Sequence, residues 1–243
     1  MKKHLIHLVL AATSYSAAAQ APAAPAPAAT ASAAPTTGYA EMMAATITEL
    51  LSTGDPAQLR QIASKFERAS AVAATDWLPQ YYQAYALLIN CFQSKENGDV
   101  KDKTLDQAEA ALGRARKLGR AGQGGDESEL LVLQAYIHQA RLGISPMMRS
   151  AKYSGLVNEA LAEAKKLNPA NPRIYLVQAN NLYFTPKMFG GGADAAKPVY
   201  DEAKTRYAAF QPSTPLMPNW GERQLLGRLR AYETASAQTA AAK

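Results

Sequence analysis

From Tyr39 onward the order of apolar and polar positions is helical. Val, Ile and Thr never gather into the alternating runs of a half-buried strand, while Ala, Leu, Gln, Lys and Glu dominate. Several helix starts are legible. Asp55-Pro56 and Asn171-Pro172 each place a capping side chain before a proline at the first helical position. Thr104-Leu-Asp-Gln107 and Asn219-Trp-Gly-Glu222 have the spacing of a capping box. The pattern predicts helices near 40–52, 56–73, 77–93, 104–118, 127–142, 151–167, 172–184, 195–209 and 219–235, with no strands.

Within these helices a large residue stands three positions before a small one, where helices would meet closely: Phe66/Ala69, Leu112/Ala115, Leu161/Ala164 and Tyr200/Ala203. LNPANP follows Ala164, and NPRIYLVQANNLYF then sets Tyr175 and Ala179 four apart. This resembles the tetratricopeptide repeat (TPR), with Tyr175 at the usual tryptophan position and Tyr81 and Tyr85 of WLPQYYQAYALL at comparable ones. The spacing between units is longer and less even than the family's repeat of about 34 residues. The resemblance implies an all-α, TPR-like right-handed superhelix of about four helical hairpins plus a C-terminal capping helix, over residues 38–235. The stretches ISPMMRSAKYS, LNPANPRIYLVQANNLYFTPKMFGGG and PLMPNWG also resemble an uncharacterised group of exported TPR-like proteins of Bacteroidota. That likeness implies a fold and a compartment, and no activity.

The corner TPKMFGGGADAAKPVYDEA tests whether the chain carries a phosphate loop. Gly190, Gly191 and Gly192 lack both the spacing and the Lys-Ser/Thr pair of a nucleotide cradle, and no strand precedes them. A hairpin corner accounts for more residues. Pro186 stops one helix, the glycines permit positive φ, Asp194 caps the next helix, and Pro198 falls in its first turn. Met188 and Phe189 are expected to fold back onto the hairpin.

The N-terminus reads as a secretory leader over residues 1–19, with Lys2 and Lys3, the apolar run LIHLVLAA, and small residues up to Ala19. Cleavage near Ala19 would remove two of the positive charges behind the formal +6. The remaining charge is too weak to argue for nucleic acid. Residues 20–37 alternate alanine and proline and read as an extended tether, and 236–243 as a disordered tail. The expected location is periplasmic or secreted, with no integral membrane segment.

Catalytic groups are sparse. Cys91 is the only cysteine and lies in an apolar helical run, so no disulfide can form within the chain. Outside the leader, His138 is the single histidine. A zinc site needs three or four His/Cys ligands, and neither NGDVKDK nor GQGGDESE has the carboxylate pattern of a calcium loop. Glu127/Glu129 and Asp201/Glu202 read as surface-helix acids, and Arg114, Arg116, Lys117 and Arg120 as a solvated helix end. Trp220 is expected to staple the last helix to the final hairpin. No catalytic residue, metal or cofactor is assigned.

The first helices of TPR units line a concave face that binds peptides or partner helices in that family. The resemblance therefore implies a groove formed by Trp77, Tyr81, Tyr82, Tyr85, Tyr175, Gln178, Asn181 and Tyr183. The reading that follows is a non-enzymatic scaffold for an envelope or periplasmic partner protein. A small-molecule or glycan-binding accessory of an envelope transport system is the alternative.

Overall fold

The computed structural model describes residues 37–122 and 124–241, so the leader and nearly all of the Ala/Pro tether lie outside the described residues. Among the described residues there are nine α-helices and no strand. They are α1 (Thr37–Ser52), α2 (Pro56–Val72), α3 (Leu78–Gln93), α4 (Gly98–Ala121), α5 (Glu127–Ile144), α6 (Pro146–Leu167), α7 (Pro172–Phe184), α8 (Ala193–Ala209) and α9 (Glu222–Ala241).

Consecutive helices pack as antiparallel pairs, α3 with α4, α5 with α6 and α7 with α8, and the first helices also touch one another across pairs. The small residues do what their positions promise. Ala69, Ala115, Ala164 and Ala203 are all buried, letting neighbouring helices approach closely. On α2 the buried stripe is Leu59, Ile62, Ala63, Phe66 and Ala69, the spacing of one helix face. Helix α3 is buried almost all round, from Leu78 to Leu88, because helices and the C-terminal segment cover every side of it.

Two starts follow the sequence reading. Asp55 Oδ1 accepts from Gln58 N at 2.8 Å, and Asn171 Oδ1 accepts from Arg173 N at 3.0 Å. Two do not. Helix α4 begins at Gly98 because Asn97 caps it, its side chain accepting from Val100 N at 3.0 Å. Thr104 is then an interior residue whose hydroxyl donates back to Val100 O. The Asn219 spacing is overridden by Gly221, whose φ of 106° breaks the chain before α9 can start. Trp77 stands at the N-cap position of α3 rather than inside it, and Asp76 Oδ1 accepts from Leu78 N at 2.9 Å. Helix α6 starts at Pro146, and α9 continues to Ala241 through alanines, so residues 236–241 are helical and not a tail.

The three glycines form a corner, as expected. Gly190 and Gly192 have φ of 79° and 98°, and a Cβ on Gly191 would lie 2.3 Å from the Thr185 carbonyl oxygen. Gly192 N donates to Leu182 O at 2.9 Å and ties the turn to the end of α7. Three details differ. Gly192, not Asp194, is the N-cap, and Asp194 instead pairs with Lys187 at 3.1 Å. Pro198 lies beyond the first turn and removes a helical hydrogen bond there. Met188 and Phe189 do not fold back; both are exposed.

Candidate functional site

The face of α3 and α5 that carries Tyr81, Tyr85 and Tyr136 is covered by the chain itself. After α8 the segment from Phe210 to Gly221 crosses this face and lays Trp220 into it. The indole stacks on Tyr85 at 4.6 Å and on Tyr136 at 5.8 Å between centroids. Its Nε1 donates to the Tyr81 hydroxyl at 2.8 Å. Tyr82 donates to Leu216 O at 2.9 Å, and Tyr207 to Trp220 O at 3.0 Å. Gly221 is required here, since any Cβ would lie 2.1 Å from the Tyr207 hydroxyl oxygen. Trp220 thus staples the last segment to the final hairpin, through Tyr207 and Arg173, and to α3 and α5 as well.

Beneath the indole lies an ion pair that surface-helix reasoning missed. Glu129 is buried, and Arg173 Nε donates to its two oxygens at 3.0 and 2.8 Å while Nη2 also bonds it. Tyr81 donates to the same carboxylate at 3.4 Å. The Arg173 guanidinium stacks over Phe210 at 4.5 Å. Burial pushes the Glu129 carboxyl above its usual range and the Arg173 charge opposes that. Burial likewise works against the Arg173 cation, but the Glu129 carboxylate outweighs it and holds the guanidinium protonated. A second buried arginine, Arg141, meets Asp102, Asp106 and Glu109 of α4, and Arg149 also binds Asp102.

Of the eight groove residues, Trp77, Tyr81, Tyr82, Tyr85 and Tyr175 are buried against the protein's own atoms. Trp77 Nε1 donates to Gly124 O at 3.0 Å, and Tyr175 donates to Pro169 O at 2.9 Å. Gln178, Asn181 and Tyr183 of α7 keep part of their surface open. The structure therefore does not bring the eight together as one open groove. The C-terminal segment covers Tyr81, Tyr82 and Tyr85, while loop carbonyls take Trp77 and Tyr175.

The other candidate groups have internal partners. Glu127 pairs with Arg116 and Arg120, Asp201 with Lys197, and Glu202 with Arg206. Arg114 of the basic run bonds Gln80 and Gln83. His138 is half-buried beside Gln134 and Tyr153, and burial pushes its imidazole below the usual value while Glu109 opposes the shift. Cys91 is buried and lines a cavity of about 240 Å³ with Arg60, Glu96 and Lys101. No cluster of three metal-holding side chains occurs among the described residues.

One end of the structure gathers exposed apolar side chains. Asn171 and Arg173 at the start of α7 meet Ser128 and Glu129 at the start of α5, and Val177 meets Gln139 further along. The two helices therefore run in the same direction, so the α5/α6 and α7/α8 corners share one end. Those corners group five of the strongly exposed large apolar side chains: Met147 92%, Met148 82%, Phe184 70%, Met188 83% and Phe189 73%. Turn chemistry alone would not place five such residues in solvent. Their position in Pro- and Gly-containing corners was the available sequence signal.

Beside this rim, Arg228 of α9 lies 4.2 Å from the Tyr183 ring centroid and 5.6 Å from that of Phe184. The two rings pack edge to face at 5.1 Å. The other cations at these corners are engaged, Arg149 by Asp102 and Lys187 by Asp194. Among the described residues, no carboxylate is within ion-pair distance of Arg228.

No protein-family model matches the sequence, and no curated protein does. Among solved structures, the HusA haemophore from Porphyromonas gingivalis superimposes with a TM-score of 0.69. It is 37% identical over 79% of this chain and 92% of its own length. At that identity and coverage, the chain belongs to the same family as the HusA haemophore.

Proposed function

We propose that the protein is an exported, non-enzymatic carrier of haem or a closely related porphyrin, bound at the apolar rim of the α5/α6 and α7/α8 corners. The observation that carries this reading is the family relationship to a haemophore over nearly that protein's full length. The rim supports it physically. Haem is a flat, mainly apolar macrocycle, and Met147, Met148, Phe184, Met188 and Phe189 offer flexible thioethers and aromatic faces to such a surface. This is the small-molecule alternative of the sequence reading. In this reading an envelope partner enters as the receiver of the ligand. The leader-like residues 1–19 support export, and no helix among the described residues is long and apolar enough to cross a membrane.

Titration of the leaderless chain with haem, followed by Soret absorption and quenching of Trp77 and Trp220 emission, tests the proposal. Saturable binding with a Kd of about 1 μM or tighter is expected. A combined Phe184→Ser/Met188→Ser/Phe189→Ser variant should bind at least ~10-fold more weakly, since each buried apolar side chain contributes about 1.5–3 kcal/mol. Its melting temperature should be unchanged, because the three side chains are exposed in the free protein. Absence of saturable binding overturns the function, and unchanged binding by the variant overturns the site.

A further inference from the structure

Resting on the haem-carrier reading, we infer that Arg228 is the specificity-determining residue of the rim and anchors a carboxylate of the bound ligand. The ligand class is thereby narrowed to planar apolar macrocycles that carry a free acid on their edge.

Three observations converge on Arg228. It is half-exposed at the margin of the apolar surface, held over the Tyr183 and Phe184 rings rather than extended into solvent. The aromatic contacts and a hydrogen bond with the Tyr200 hydroxyl hold the guanidinium in place, and its further N–H groups suit a planar, two-pronged contact with a carboxylate. The tyrosines around it are uncharged: Tyr200 hydrogen-bonds it, and the hydroxyls of Tyr136 and Tyr232 lie within its field. Tyr200 itself is held by Asn180 at 2.7 Å and Tyr232 by Ala193 O at 2.7 Å.

Two acids of the packed helix α8 already have cationic partners. Asp194 pairs with Lys187, and Asp201 with Lys197 at 2.7 Å. A cation with no acid of its own among the described residues, placed where an apolar plate would end, complements a ligand whose polar groups sit on one edge. Phe184 joins the two halves of the site, since it belongs both to the rim and to the Arg228 stack.

The test compares haem with its dimethyl ester, which keeps the macrocycle and iron but removes the acids. Both are titrated against wild type, Arg228→Gln and Arg228→Lys, with melting curves recorded for each protein. Wild type should bind haem about 10-fold more tightly than the ester. Arg228→Gln should lose that preference while binding the ester as wild type does. Arg228→Lys, which keeps charge but not the planar fork, should fall between them. Equal losses for haem and ester in Arg228→Gln, or no wild-type preference, would overturn the anchor and leave the carrier intact. If wild type binds neither ligand, the carrier reading itself fails.

Discussion

Replacing Trp220 with alanine separates two views of the C-terminal segment, a fixed part of the core or an appended flap. The side chain is 1% exposed, lies between two stacked tyrosines and donates its only N–H to Tyr81. Truncating a buried tryptophan costs about 3–5 kcal/mol through lost burial and the cavity left behind. For a domain of this size each kcal/mol moves the melting temperature by about 2–4 °C, so a fall of roughly 6–20 °C is expected. Trp220→Phe keeps most of the stacking and loses the hydrogen bond, and should cost only about 1 kcal/mol. Thermal unfolding followed by far-ultraviolet circular dichroism should show one cooperative transition for each protein. A Trp220→Ala melt within about 2 °C of wild type would refute the reasoning. So would an early, minor transition that leaves most helicity intact.

Two other perturbations follow from the ion pairs. Glu129→Gln strands the Arg173 cation in the core and should cost about 3–5 kcal/mol, whereas Glu129→Leu combined with Arg173→Met should recover much of it. Urea unfolding of the single and double variants checks this, and additive losses would contradict it. Hydrogen bonding from Arg149, with Arg141 beside it, holds the Asp102 carboxyl below its usual value. The native state therefore binds that proton less readily than the unfolded chain does. The stabilisation is complete above about pH 4 and is lost as pH falls through the depressed native value. Melting temperature plotted from about pH 5 to pH 2 should fall less steeply for Asp102→Asn than for wild type, and coincident slopes would rule the linkage out.

Much of the scaffold was written in short-range patterns. Asp55-Pro56 and Asn171-Pro172 start helices because a cap and a proline act within one turn. Ala69, Ala115, Ala164 and Ala203 mark close helix contacts, because only small side chains fit there. The errors arose where a nearby signal was outcompeted. Asn97 capped α4 before Thr104 could, and Gly221 delayed α9 past Asn219. The site was harder to read because it depends on what covers what. Tyr81, Tyr82 and Tyr85 have the composition of a binding face, but a segment some 130 residues away occupies it. Arg228 shows no sign in its own neighbourhood of the two α7 rings that it covers.

The Trp220–Tyr81 and Tyr82–Leu216 hydrogen bonds join residues 139 and 134 positions apart. In an ordinary helical array each unit touches only its neighbours, and folding can begin anywhere and spread. Here the α3/α4 pair cannot complete its packing until the final crossing docks, so helix formation is local while consolidation is not. Such a chain pays a loop-closure entropy that most helical proteins avoid, and should fold more slowly than its helix content suggests. Until that last step a row of tyrosines on α3 lies bare. A chain cut before Phe210 would keep that adhesive strip, and aggregation rather than a smaller folded repeat is its expected fate.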